Sequence, residues 1–146
     1  MGRLSLALIA HDSRKEDMIL LVKAHREELA QLDLVATRGT GKLIQARTSL
    51  LVTLMESGPR GGDQQVGAMV ANGDVRAVIF LRDPLTAQPH EPDISALLQI
   101  CDVHNVPLAT NLATAEAVLH LLFEHPEALG GHHLMAQFLD EMAAIH

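Results

Sequence analysis

Tryptophan and tyrosine are missing from the sequence, and phenylalanine occurs only three times. Apolar residues still fill 48% of the 146 positions, so a real core is available. It has to be aliphatic, packed from Leu, Val, Ile, Ala and Met. Cysteine is nearly absent too. Cys101 stands alone, which excludes an intramolecular disulfide and agrees with a reducing cytoplasm. Its place on an apolar helix face reads as core. Basic residues are scarce, 11 against 18 acidic ones, for a formal charge of −7. That balance gives a nucleic-acid partner no electrostatic support. An anionic small molecule would need a local positive site, which draws attention to the few basic residues beside loops. Long apolar runs are lacking as well. Leu4–Ala10 is too short to cross a membrane and runs straight into charged residues, so it reads as a first strand and not as a signal peptide. No repeat, low-complexity tract or linker interrupts the chain, and one domain over residues 1–146 is expected.

What is present is an alternation of apolar strands and amphipathic helices. Strands are expected at Leu4–Ala10, Leu32–Ala36, Leu50–Met55, Ala77–Leu81 and Val106–Thr110. Ser13 and Glu16 have capping-box spacing, so a helix should begin near Arg14 and carry Met18, Leu21, Val22 and Leu29 on one face. Thr37–Gly41 reads as a polar turn before a short helix, Lys42–Thr48. Val66–Ala71 is the apolar part of a third helix that ends at Asn72-Gly73. Asp83–Asp93 is a long loop stiffened by Pro84, Pro89 and Pro92. Helices follow at Ile94–His104, Thr114–Phe123 and, after a break at Pro126–Gly131, Leu134–Ile145. This order implies an α/β, Rossmann-like domain of three layers, a parallel five-stranded sheet with helices on both faces. Ligands bind such sheets beyond the carboxyl ends of the strands. The rule places His11–Lys15, Thr37–Gly41, Ser57–Asp63, Asp83–Asp93 and Asn111–Thr114 on one rim.

Those segments hold the polar clusters. Ser57-Gly58-Pro59-Arg60-Gly61-Gly62-Asp63 has three glycines and a proline, a loop whose backbone can approach a ligand before a helix start. Asp63 is there either as a helix cap or as a catalytic group. Thr37-Arg38-Gly39-Thr40-Gly41 has the hydroxyls and backbone N–H groups that suit phosphate oxygens, or is an ordinary turn. Neither the P-loop nor the dinucleotide pattern is met. Lys15 in a first helical turn opposes the helix dipole, which suits an anionic partner or a solvated surface lysine. His90 beside Asp93, with Asp83 upstream, and the pair His11-Asp12 are candidates for proton transfer, or unremarkable loop histidines. Nine histidines raise the question of a metal. His132 and His133 are adjacent and point apart on a helix, and His120 and His125 add no ligand spacing, so none is expected.

Taken together, Ala10-His11-Asp12 with Lys15, Ala36-Thr37-x-Gly39-Thr40-Gly41-x-Leu43-Ile44 and Asp83-Pro84-Leu85 resemble the methylglyoxal synthase family. So do Ser57-Gly58-Pro59-x-Gly61-Gly62-Asp63-Gln64-Gln65-Val66-Gly67-Ala68, Pro89-His90-x-Pro92-Asp93 and Pro107-x-Ala109-Thr110-Asn111-x-Ala113-Thr114. The Ser57–Ala68 block is the most specific of these. The resemblance implies conversion of dihydroxyacetone phosphate to methylglyoxal and inorganic phosphate, in a homohexamer that phosphate inhibits. It implies Asp63 as the catalytic base and His90 as the group that polarises the carbonyl or shuttles protons. Lys15, Thr37, Thr40, Ser57 and Gly58 would hold the phosphate, with Arg38 and Gly39 beside them and His11 at the edge. Asp12, Asp83 and Asp93 would be supporting carboxylates. No metal or organic cofactor is implied.

The chain also departs from the family pattern. Arg38 replaces a small residue, Gly39 stands where threonine is common, Glu91 where Asp is common, and Gln99 where Arg is expected. The tail to His146 is unfamiliar. Two rivals stay open. One is a non-catalytic ligand-binding regulatory module of the same fold, like that of large carbamoyl phosphate synthetases. The other is an isomerase acting on the same triose phosphate through the same enediolate.

Overall fold

The computed structural model describes residues 4–145, apart from the side chains of residues 130–133. The His132-His133 pair falls among the latter, outside what can be described. Five parallel strands form one sheet in the order β3-β2-β1-β4-β5. They are β1 (Ser5–Ala10), β2 (Asp33–Ala36), β3 (Thr53–Leu54), β4 (Ala77–Leu81) and β5 (Leu108–Ala109). Leu6 sits in register with Leu34 on one side and Ala77 on the other, which makes β1 the centre.

The alternation of side chains along a strand explains the two apolar layers. Leu6, Leu8 and Ala10 of β1, with Ala77, Ile79 and Leu81 of β4, face one layer. That layer is covered by α1 (Lys15–Ala24), α3 (Arg38–Thr48) and α6 (Leu112–Glu124). Ala7 and Ile9, with Val78 and Phe80, face α4 (Gly62–Ala71) and α5 (Glu91–Val103), where Cys101 is buried. Each fully buried Leu or Ile contributes roughly 1.5–3 kcal/mol. Burial on both faces is why β1 and β4 are unbroken apolar runs. Gly73, at φ 79, follows Asn72 at the end of α4, as the sequence predicts.

Several boundaries differ from the sequence reading. The first helix does not use the Ser13–Glu16 box. A 3-10 turn, Asp12–Arg14, precedes α1, and the Ser13 hydroxyl donates to the Asp83 carboxylate at 2.9 Å instead. The same helix breaks at His25 and resumes as α2 (Arg26–Leu29), with the His25 ring 2.6 Å from Glu116 of α6. The third strand pairs over only two residues. Thr37–Gly41 is not a free turn, because α3 begins at Arg38. The loop after β4 ends earlier than expected: α5 starts at Glu91, which puts His90 at its N-cap and Asp93 in its first turn. Helix α6 likewise begins two residues early, capped by Asn111, whose side chain accepts from the Thr114 N–H at 2.9 Å. A final helix, α7 (His132–Ile145), follows a 3-10 stretch at Pro126–Gly131. No described helix is long and apolar enough to cross a membrane.

Candidate active site

The chain leaves β1 and β2 directly, and β3 two residues on, through the same conformation. His11, Thr37 and Ser57 are extended, with φ −64, −64 and −63 and ψ 158, 154 and 156, and each is followed by a helical turn. Neighbouring parallel strands thus present three helical N-termini side by side, whose first N–H groups have no partner within their own turn. None of the three capping side chains accepts from a backbone N–H of its own helix. Positive dipole ends and free N–H groups on one rim favour an anion.

The cleft at this rim has a volume of about 270 Å³. Its walls bring together His11, Asp12, Lys15, Thr37, Gly39, Thr40, Ser57, Gly58, Asp63 and His90, all anticipated from sequence. Ile9, Ala10, Pro59 and Gln88 complete it; the last two lie in the expected rim segments, but none of the four is marked as a site residue by the sequence. Gln88 could not have been found, since no spacing marks it out in a proline-rich loop. Lys15 reaches the cleft from the first turn of α1 and pairs with the carboxylate of Asp12, which is 97% exposed and held below the usual carboxylate range by that contact. The Thr40 hydroxyl is already engaged by β1, accepting from the Ala10 N–H at 3.2 Å. The Thr37 hydroxyl has only a weak 3.4 Å contact to it.

Asp63 lies in the first turn of α4, fully buried, yet against the cleft. It caps nothing: Gly61, at φ 99 in the left-handed region, occupies the N-cap. Neither carboxylate oxygen has a hydrogen-bond partner, and burial pushes its pKa above the ordinary 3.8, against the pull of His90. His90 Nε2 stands 3.5 Å from Asp63 Oδ2, and His90 Nδ1 is buried and unpaired. Gly58 permits this approach. A Cβ there would lie 2.8 Å from His90 Nε2 and 3.5 Å from Asp63 Oδ1.

His11 is not at the edge as expected but inside, 7% exposed, with its ring edge-on to Phe80 and to His90. The Asp83 backbone N–H donates to His11 Nδ1 at 2.8 Å. The neutral ring must then carry its proton on Nε2, which is buried without a partner. Burial first, then the neighbouring His90 and Arg82 charges, lower its pKa, so neutral imidazole is the form at pH 7.

Three expected site residues, Arg38, Asp83 and Asp93, are not in the cleft wall, and neither is the Asn111 segment of the same rim. Arg38 is half-exposed and its guanidinium lies 3.9 Å from Glu56. The Asp83 carboxylate turns to Ser13 and to the Leu85 N–H. Asp93 accepts from Gln64 at 2.8 Å, and His90 faces Asp63 instead. Asn111 lines a separate cavity with Arg14 and Arg82, because β5 lies beyond β4 on the same rim. Among the described residues no group of histidines, cysteines and carboxylates is arranged to hold a metal ion.

Comparison with known proteins agrees with this layout. The model of the MGS-like domain matches residues 17–110. The methylglyoxal synthase of Carboxydothermus hydrogenoformans is 60% identical over 119 residues, covering 82% of this chain and 98% of that protein. That of Moorella thermoacetica is 60% identical over 121 residues, covering 83% and 94%. The crystal structure of methylglyoxal synthase from Elizabethkingia anophelis NUHP1 superposes with a TM-score of 0.76 at 44% identity, over 80% of this chain and 77% of that one. With the sheet order, the specific Ser57–Ala68 block and these matches in agreement, the chain belongs to the methylglyoxal synthase family.

Proposed function

We propose that the protein is a methylglyoxal synthase, a carbon–oxygen lyase that converts dihydroxyacetone phosphate to methylglyoxal and inorganic phosphate. One observation carries this: Asp63 is buried with neither oxygen hydrogen-bonded, against the same cleft as three helical N-termini and the Lys15 ammonium. A base with nothing to accept from, beside a cradle for an anion, fits proton removal from a phosphorylated substrate.

In this reading the phosphate rests on the turns after Thr37 and Ser57, near Lys15. Asp63 takes a proton from the hydroxymethyl carbon next to the carbonyl. The electrons move onto the carbonyl oxygen, giving an enediolate. His11 Nε2–H and His90 line the same cleft as Asp63 and serve as donors to that charge, and a neutral imidazole donates without having to give up a full proton. Collapse of the enediolate, as its terminal hydroxyl gives its proton to His90 and becomes the aldehyde, breaks the bond between the other carbon and the phosphate oxygen. Phosphate leaves with the electron pair. The remaining enol tautomerises to methylglyoxal when its new methyl carbon takes up a proton, so no water or oxidant is consumed. His90, 3.5 Å from Asp63, is placed to move protons along this path. Asp83 acts by fixing His11 through its backbone, and Asp12 by holding Lys15. Asp93 is a supporting carboxylate that keeps Asp63 company from α5 and helps raise its pKa.

Phosphate, as a product, competes for the same cradle and inhibits. Homohexameric assembly and a cytoplasmic setting complete the reading. The test is to incubate the purified protein with dihydroxyacetone phosphate without added metal and to measure methylglyoxal and phosphate together. Equal amounts of both are expected. Glyceraldehyde 3-phosphate with no free phosphate would make it an isomerase. Phosphate binding with no turnover would make it a regulatory module.

A further inference from the structure

Helix α7 holds six large apolar side chains, Leu134, Met135, Phe138, Leu139, Met142 and Ile145, between 41% and 73% exposed. Their spacing of one and three residues gathers them on one face, and Gln137 and Asp140 lie on the opposite one. The helix lies beyond residues 17–110 that the family model matches. Together the six leave on the order of 600 Å² of apolar surface in water, at the upper limit of what a monomer tolerates.

We propose that α7 pairs with α7 of a second copy of this chain across a two-fold axis, each stripe covering the other. A two-fold contact is isologous, so one self-complementary stripe is sufficient. Two copies would bury roughly 1,200 Å², the lower end of a stable specific interface. Lipid is the other surface that takes an amphipathic helix, but it calls for lysines and arginines on the polar face. Here the charged residues from Leu134 to Ile145 are Asp140 and Glu141, on a chain of net charge −7. The seam shares with the reading above only the need for a second copy, and it does not depend on the reaction.

The experiment uses the full chain. Met142→Cys is treated with a short bis-maleimide; Cys101 stays silent because it is buried and its thiol is pushed up to about 11. A covalent dimer on a denaturing gel is expected, and loss of that dimer when Phe138→Glu is added. In parallel, light scattering should show the mass of Phe138→Glu/Leu139→Glu reduced at least twofold, with the circular dichroism spectrum unchanged. Absence of the cross-link overturns the seam, as does an unchanged mass. Capture of the wild type by anionic vesicles in place of the cross-link would overturn it in favour of lipid. Methylglyoxal release measured on the same samples keeps the two proposals apart. An active protein without the cross-link refutes the seam alone, and a cross-linked protein without turnover refutes the reaction alone.

Discussion

The rim of the sheet holds two pairings of aspartate with histidine, and they are built in opposite ways. Asp83 has every need met: its carboxylate accepts from the Ser13 hydroxyl at 2.9 Å and the Leu85 N–H at 3.1 Å, with Thr86 beside it. These bonds hold its pKa below the ordinary value, and it touches His11 only through its backbone N–H. Asp63 has no such bonds, no exposure, a raised pKa and a histidine 3.5 Å away. The same two residue types thus serve once as scaffold and once as reagent. A satisfied carboxylate is already in its lowest state and fixes geometry. A buried one left unpaired is held in a costly state that proton uptake relieves, which is what a base requires.

The largest expected effect breaks the second pair. Asp63→Asn should lower kcat by roughly 10²–10⁴-fold. The same change should raise stability at neutral pH by about 1–3 kcal/mol, because it removes a buried charge that accepts no hydrogen bond. The sign follows from the shift. Burial raises the folded pKa above 3.8, so the folded state binds the proton more tightly than the unfolded chain. Stability from this group is therefore full below 3.8 and lost as pH rises through the folded value. Urea midpoints of wild type and Asp63→Asn at acid and neutral pH measure this. A variant less stable than wild type at neutral pH would mean that the carboxylate is paired after all.

The same shift governs rate. A base has to be ionised, so kcat/KM should fall as pH is lowered through the Asp63 value, with a midpoint above 3.8. A pH profile of kcat/KM checks it, and a midpoint at or below 3.8 would move the role of base to another group. His90→Gln comes next. It takes away a nearby donor while leaving the base, and should cost kcat roughly 10²–10³-fold, with Asp63 still setting the acid limb.

Much of this was legible in the residues. The strand and helix alternation is written in apolar periodicity, and the rule that ligands bind beyond strand ends gathered four segments that share the cleft and a fifth, at Asn111, that lines a separate cavity. What stayed hidden depended on contacts distant in sequence. Ser13 looked like a helix cap because Glu16 follows at the proper spacing, but Asp83, seventy residues away, takes its hydroxyl. His11 looked peripheral because nothing local shows that the Asp83 N–H meets its ring. Asp93 looked like the partner of His90 because they are close in sequence. A helix beginning at Glu91 sends Asp93 to Gln64 and leaves His90 to Asp63. The Arg38 side chain looked like part of the phosphate site because nothing local shows that it lies toward Glu56.

A smaller effect probes how closely the reactive pair is fitted. In Gly58→Ala the new Cβ would stand 2.8 Å from His90 Nε2, so the imidazole has to move. Misplacement of this kind should cost about ten- to a hundredfold in kcat, with little change in the urea midpoint. Unaltered kinetics would show that the ring position is not critical.

The smallest effect belongs to the scaffold pair and is the sharpest test of the contrast. Asp83→Asn keeps one side-chain oxygen to accept from Ser13 or Leu85, and it keeps the main-chain N–H that fixes the His11 tautomer. The carboxylate is solvated, so its negative charge acts on the site through water and is screened. Turnover should therefore stay within about threefold of wild type, with the acid limb unmoved because that limb belongs to Asp63. If Asp83→Asn lost a hundredfold, its charge would be acting on the intermediate directly, and the division between scaffold and reagent would fail at the residue that defines it.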